Sequence, residues 1–282
     1  MDAAVICHAS RLTDFLVYES FMKATVLVTG AGSGIGLGVA EHFAKNGHSV
    51  IVTDLNDEQL IHAKELLANY PCDFFPLDVT SQESVDTLKA QIEAKARQTD
   101  APLTMPQIVI NNAGIQHVAK LEDFPMERWN LLIQVMLVGV ARVTQAFLPH
   151  MKQSNFGRIV NIGSLHSVVA SPYKTAYIAA KHGLLGMAKS LSLELAEQDI
   201  TINTVCPAYV KTPLVEKQIQ QQAAEHGISE EDVINTIMLR PMPKKSFIDI
   251  AEIAAACDFF AAPIAKNITA QALLLDGGWT AQ

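Results

Sequence analysis

The sequence predicts an α/β fold, a doubly wound parallel sheet of seven strands in a single domain. Three observations carry that prediction. Short β-branched runs recur from Lys23 onward, and most are continuously apolar rather than alternating, as parallel strands covered on both faces require. Amphipathic stretches such as "GLGVAEHFAKNG" (36–47) and "SVDTLKAQIEAKARQ" (84–98) separate them, supplying the crossovers that join parallel neighbours. A glycine-rich turn follows the first run, at the sheet edge where such folds hold a ligand.

In chain order the strands are "ATVLVTG", "HSVIVTD", "CDFFPLD", "QIVINNAG", "GRIVNIGS", "ITINTVCPA" and "ALLLDGG". The chain has 282 residues, 49% of them hydrophobic, enough for a sizeable core. No repeat, low-complexity segment or linker marks a second domain. Residues 22–282 therefore read as one domain, and 1–21 as an extension outside the core fold. That opening lacks the basic start and long apolar middle of a signal peptide. No apolar run approaches the roughly 20 residues that cross a bilayer. The formal charge is −8, with no basic cluster, which argues against nucleic acid or an anionic membrane as partner. A small anionic substrate remains compatible, since a pocket can be locally positive. Cys7, Cys72, Cys206 and Cys257 are widely spaced and form no metal-ligand or redox pair. They read as reduced thiols of a cytoplasmic protein, with no metal expected.

Residues 208–247 interrupt the alternation between the sixth strand and the last helix. They are polar and helix-prone, with Pro213, Pro241 and Pro243 near their ends. Because this insertion leaves from a strand's carboxyl end, it reads as a small helical lid over the ligand crevice rather than a surface excursion.

The glycine turn is "TGAGSGIG" (29–36), with Gly30, Gly34 and Gly36 spaced G-x-x-x-G-x-G. Glycine permits the tight turn and close backbone approach, and the following helix amino terminus attracts a pyrophosphate. This is the Rossmann-type arrangement with altered spacing. Asp54 ends the second strand at the distance suited to a ribose 2′-hydroxyl. A carboxylate there repels the 2′-phosphate of NADP, and no Arg or Lys follows in "DLNDE", so the cofactor expected is NAD. Asp78 closes the third strand and can bond an adenine amino group or simply shape a turn. "NNAG" (111–114) can lie against the adenosine or steady the sheet.

The polar stretch "SLHSVVASPYKTAYIAAKHG" (164–183) gathers the candidate chemical groups. Tyr177 and Lys181 are four apart on a predicted helix and share a face. A free tyrosine ionises near pH 10; a neighbouring cation favours tyrosinate, each unit of lowering being worth about 1.4 kcal/mol. Tyr173 has no lysine four residues later, and His182 points off the shared face.

The glycine turn, "NNAG", Ser164 thirteen residues before Tyr177, and "YIAAK" together resemble the short-chain dehydrogenase/reductase family, from Lys23 to the carboxyl terminus. The resemblance implies that Tyr177 takes the hydroxyl proton as hydride leaves for the nicotinamide, that Ser164 holds the substrate oxygen, and that Lys181 also bonds the nicotinamide ribose. It implies cofactor contacts from Gly30, Ser33, Gly34, Ile35, Gly36, Asp54, Asp78, Val79, Asn112, Ala113, Gly114, Pro207, Val210 and Thr212, besides Tyr177 and Lys181. Within the family, "NNAGIQHV", residues 164–183, "TPLVEKQI" and "DGGWTAQ" are most similar to members that oxidise D-3-hydroxybutyrate to acetoacetate. That closer resemblance assigns the substrate carboxylate to Gln116, His166, Lys174 and Gln218, with Trp279 lining the site, and implies a homotetramer. One permanent cation, two amides and an imidazole suit a carboxylate in a dry pocket.

Two positions depart from the family pattern. The family usually has asparagine in the helix after "NNAG", where a water joins the lysine to a proton relay largely through the main-chain carbonyl. Met136 stands here instead, and a thioether is a poor hydrogen-bond partner. A weakened activity is expected, with the carbonyl retained if the local helix distortion persists. Ala208 replaces the usual glycine in "CPAYV", which predicts an ordinary backbone there. Competing readings are a family member acting on another hydroxy acid, an acyl thioester or a sugar alcohol, and a silent NAD-binding protein favoured only by Met136.

Overall fold

The computed structural model describes residues 23–98 and 103–281; the extension expected at 1–21, Cys7 included, lies outside them. Seven strands, β1 (Thr25–Val28), β2 (Ser49–Asp54), β3 (Cys72–Pro76), β4 (Ile108–Asn111), β5 (Gly157–Ile162), β6 (Ile200–Pro207) and β7 (Ala272–Leu275), form one sheet. Every pairing is parallel, in the order β3-β2-β1-β4-β5-β6-β7. The chain steps outward from β1 to β3, then returns to the far side of β1 and continues to β7. The crevice beyond the carboxyl ends of β1 and β4 is therefore the place for a ligand.

The helices are α1 (Gly34–Lys45), α2 (Asp57–Leu66), α3 (Gln82–Ala96), α4 (Met126–Ile133), α5 (Gly139–Ser154), α6 (Thr175–Glu194), α7 (Pro213–His226) and α8 (Ile250–Ala261). They cover both faces, which explains the unbroken apolar runs. Leu27 pairs in register with Ile51 and Val109, and Val109 with Ile159. This row packs in one core with Leu88 and Ile92 of α3 and Phe147 of α5. The adjacent row, Val26 with Val50 and Ile108, packs in the other with Phe43 of α1 and Phe260 of α8. Burying each such side chain contributes about 1.5–3 kcal/mol.

The helical run 126–154 differs from the sequence-based expectation. It is continuous over 29 residues, long and apolar enough by length and composition to cross a membrane. The sequence hides this because Arg128, Arg142 and Lys152 interrupt the apolar stretches. One face is buried in the sheet core through Val143, Phe147 and Met151, which accounts for its apolar character. Between α4 and α5, residues Gln134–Val138 widen into a π-helical turn, with the Gly139 N–H donating to the Gln134 carbonyl five residues back.

Residues 208–247 hold α7 and a second helical segment running from Glu230 to Met238, its last part again π-helical. Thr212 caps α7, accepting from Val215 N–H at 3.3 Å, and Pro213 occupies its first turn. Ile219, Val233 and Met238 form a small core of their own against Tyr209 and Phe247. A bridge between Val210 and Ile248 closes the base of the insertion.

Candidate active site

A cleft of about 690 Å³ runs along the carboxyl edge of the sheet. Asp54 lies at one end and Tyr177 at the other, with the insertion forming one wall through Thr212, Pro213, Val215 and Gln218.

The Asp54 end is built mainly from backbone. Gly30, at φ +62°, packs so tightly on the "NNAG" loop that a Cβ there would lie 2.8 Å from Ala113 Cα. Thr29 Oγ1 accepts from the N–H groups of Asn112 (3.0 Å) and Ala113 (3.1 Å). The Asn112 side-chain amide donates to the carbonyls of Thr29 (3.0 Å) and Gly30 (2.8 Å). "NNAG" divides between the two roles the sequence left open. Asn112, Ala113 and Gly114 line the cleft, while Asn111 holds the sheet by donating to Asn161 Oδ1 at 3.0 Å. The turn leads into the amino terminus of α1, which has no side-chain cap, leaving its N–H groups available to a phosphate. A glycine turn too tightly packed for a Cβ and an uncapped helix terminus fit a dinucleotide.

Asp54 accepts from Gly32 N–H through Oδ2 and from Leu55 N–H through Oδ1, both at 2.8 Å. Each oxygen keeps a further acceptor site for a ligand hydroxyl. Around it the cleft is lined by Leu55, Gln59 and His62; the described lysines in the lining, Lys174 and Lys181, lie at the other end. Asp78 spends one oxygen on a turn, accepting from Thr80 N–H (2.8 Å) and Oγ1 (2.7 Å), and it also lines the cleft with Val79. Gly36 sits one layer behind these groups. It does not line the cleft; a Cβ there would meet the Gly30 carbonyl oxygen at 2.3 Å and Asn112 Nδ2 at 2.4 Å. Its bareness lets α1 pack behind the turn. The remaining residues named for the cofactor, Ser33, Gly34, Ile35, Pro207, Val210 and Thr212, all border the cleft.

The Tyr177 end is built from side chains. Ser164 ends the fifth strand's run and caps the short helical turn after it, accepting from His166 N–H at 3.1 Å. Burial holds the Tyr177 phenol above its ordinary value, and a hydrogen bond with the Ser164 side chain offsets only part of that rise. One turn along α6, Lys181 Nζ sits 5.6 Å from the Tyr177 ring centroid and donates to the Ile162 carbonyl at 2.6 Å. Burial lowers Lys181 to about 8, so its ammonium remains mostly charged at pH 7. Desolvation thus biases the pair toward neutral phenol; positive charge brought into the cleft shifts it toward phenolate.

His166 is buried, and burial followed by repulsion from Lys174 and His182 lowers it to about 4. It is therefore a neutral hydrogen-bonding group at pH 7. Its Nε2 lies 3.3 Å from Ser171 Oγ, and Nδ1 has no partner among the described residues. The ring meets Tyr177 and Trp279 edge-on, at 6.3 and 6.4 Å between centroids. Burial also lowers Lys174, whose Nζ lies 5.8 Å from the Tyr209 ring centroid. Gln116 and Gln218 border the same space; Gln116 Oε1 accepts from His117 N–H at 3.0 Å. His182 is exposed, with Nδ1 3.0 Å from the Ile178 carbonyl oxygen.

Sequence reasoning missed Tyr209. It lines the cleft, lies 6.2 Å from Trp279 at 33° and presents its ring face to Lys174. Its place directly after "CPA" at a strand's carboxyl end was the available signal. Met136 is buried in the π-helical turn and borders the cleft, its thioether facing Gly114. The helix distortion thus persists despite the methionine. Ala208 is not among the described residues with positive φ, as its identity predicts.

The chain is similar to several known proteins. The family model described as Enoyl-(Acyl carrier protein) reductase matches residues 30–280. A D-beta-hydroxybutyrate dehydrogenase of Rhizobium meliloti (strain 1021) is 41% identical over 93% of this chain and 100% of its own. A D-beta-hydroxybutyrate dehydrogenase of Cupriavidus necator is 39% identical over 92% of this chain and 98% of its own. Among solved structures, a single-substitution variant of actinorhodin polyketide ketoreductase with NADPH superposes with a TM-score of 0.85 at 31% identity, covering 91% of this chain and 97% of its own. With its seven-stranded Rossmann-like sheet, its backbone-floored cleft and Ser164, Tyr177 and Lys181 gathered at one end, the chain belongs to the short-chain dehydrogenase/reductase family.

Proposed function

We propose that this oxidoreductase catalyses the reversible oxidation of D-3-hydroxybutyrate to acetoacetate with NAD. The observation that carries the reading is the placement of a cation, Lys174, and a neutral imidazole, His166, around the space in front of Tyr177 and Ser164. A small hydroxy acid has a hydroxyl for the second pair and a carboxylate for the first. The names of the relatives at 39–41% identity support the same substrate. NAD is favoured by Asp54, because a 2′-phosphate would meet its carboxylate with no described lysine or arginine in the lining beside it.

In this reading the bound nicotinamide supplies the hydride acceptor and a positive charge. Ser164 Oγ donates to the reacting oxygen, and Tyr177 Oη accepts the hydroxyl proton as the C3 hydrogen departs as hydride. Lys181 favours the phenolate electrostatically. Lys174 and Gln218 hold the carboxylate so that C3 is presented in one orientation, with Gln116 and His166 completing the donor set and Trp279 closing the wall. The segment 208–247 acts as the lid that excludes water. Met136 weakens proton exit without abolishing it. A homotetramer in the cytoplasm belongs to the same proposal.

A competing reading, reduction of an acyl thioester with NADPH, draws on the family description and on the ketoreductase neighbour. One experiment separates them. Reduced-cofactor absorbance is followed with NAD or NADP and each enantiomer of 3-hydroxybutyrate, and with NADPH and an acyl thioester. Turnover confined to NAD and the D enantiomer is expected. NADPH-linked turnover of the acyl thioester, with none of either hydroxy acid, would overturn the proposal.

A further inference from the structure

Tyr173 is exposed, yet its backbone is left-handed, at φ +68°. Side chains with a Cβ rarely adopt this region; glycine does so freely and asparagine tolerably. Among the described residues, three other non-glycines share it: Asn155, Lys245 and Ala270. Asn155 ends α5 as an ordinary helix cap. Tyr173 is the one of these four that directly precedes a residue lining the cleft, Lys174.

The conformation does two things at once. It turns the Tyr173 carbonyl toward the loop after "NNAG", where it accepts from Ala119 N–H at 3.0 Å. Ala119 lies three residues beyond Gln116, so this bond ties the loop carrying Gln116 to the loop carrying Lys174. It also brings the chain into α6 at Lys174, whose carbonyl accepts from Ile178 N–H at 2.9 Å, placing Tyr177 in the helix's first turn. The phenol ring of Tyr173 contributes no described ring contact or hydrogen bond to the cleft.

We propose that Tyr173 is a positioning residue that works through its backbone: its left-handed turn latches the two loops that hold the substrate carboxylate. The inference rests on the substrate reading above for the identity of the anion, but the latch can be observed without it.

The test compares Tyr173→Gly, Tyr173→Asn, Tyr173→Ala and Tyr173→Val in the full-length protein. Glycine and asparagine accept the conformation, alanine carries a Cβ as the parent tyrosine does and bears a similar cost, and a β-branched valine resists it most. With acetoacetate and NADH, KM is expected to stay within about twofold of the parent for glycine, asparagine and alanine, the last because the ring takes no part. It should rise about tenfold or more for valine, while kcat and the NADH Kd change little. Hydrogen exchange at the Ala119 amide should be as slow in the glycine, asparagine and alanine proteins as in the parent, and faster in the valine protein. If valine fails to fold, Tyr173→Thr, β-branched but polar, carries the comparison. Equal KM and equal Ala119 protection across the series would overturn the latch, as would a glycine variant as impaired as valine. If the parent turns over no 3-oxo acid, the substrate reading fails, and amide exchange alone decides the latch.

Discussion

The two ends of the cleft are made of different material. At the Asp54 end a ligand would meet mainly peptide groups, a glycine turn, an uncapped helix terminus and the "NNAG" backbone, braced by Thr29 and Asn112, with the Asp54 carboxylate as a charged side chain among them. At the Tyr177 end it would meet side chains from several loops and helices: Ser164, His166, Lys174, Tyr177, Lys181, Gln218 and Trp279. A backbone site recognises what all its ligands share, and a side-chain site decides which reaction and which substrate. The first end should therefore be intolerant of added Cβ atoms, whereas the second can be retuned one group at a time.

The largest break expected is at the chemical group itself. Tyr177→Phe keeps the ring and removes the proton acceptor, so kcat should fall by about 10²–10⁴. The NADH dissociation constant, read by fluorescence titration, should change little. A loss of cofactor binding comparable to the loss of rate would show that the two ends are not separable.

Next come the two charged groups that read ligands at opposite ends. Lys174→Met should raise KM for acetoacetate by about 10–100-fold, the worth of a charge-assisted hydrogen bond, and leave KM for NADH unchanged. Asp54→Ala should do the reverse. It should lower kcat/KM for NAD by about tenfold or more while relieving the exclusion of NADP. Steady-state kinetics with each substrate varied in turn would show the crossed pattern; both variants affecting both substrates equally would erase the distinction.

A smaller effect concerns stability. His166 is held at about 4 against its ordinary 6.5, so between those values the unfolded chain binds a proton that the folded chain refuses. Its contribution to stability is lost as pH falls through that window and has no slope above it. His166→Gln should flatten the decline, narrowing the gap between melting temperatures measured above and within the window. An unchanged gap would mean that other groups control acid stability.

The smallest change expected is at Met136. Met136→Asn should raise turnover a few-fold by returning a polar side chain to the π-helical turn. An unchanged or lower turnover would sink the account of a weakened relay.

Legibility in the sequence followed the same division. The sheet was readable because burial on both faces leaves continuous apolar runs, and the turn because Gly30 and Gly34 adopt φ +62° and +56°. Tyr177 and Lys181 were readable because helical periodicity is local. Tyr209 escaped notice: what makes it part of the site is its contact with Trp279 and Lys174, residues 70 positions later and 35 earlier. Gly36 shows the converse. Its spacing suits a ligand turn, but its neighbour in space is the Gly30 carbonyl oxygen. The apolar run 126–154 looked interrupted in sequence because Arg128, Arg142 and Lys152 break it up. Only packing shows that Val143, Phe147 and Met151 share one buried face.

By itself the sequence determined the architecture, the family and the pairing of Tyr177 with Lys181 on one helix face, because each depends on short-range order: strand burial, a glycine turn, a spacing of four. Tertiary structure alone decided what surrounds that pair. The neutral state of His166, the lowered Lys181 and the bond that ties the left-handed turn at Tyr173 to Ala119 all depend on groups beyond the local chain. Desolvation and hydrogen bonding act through space, and the chain order does not record them.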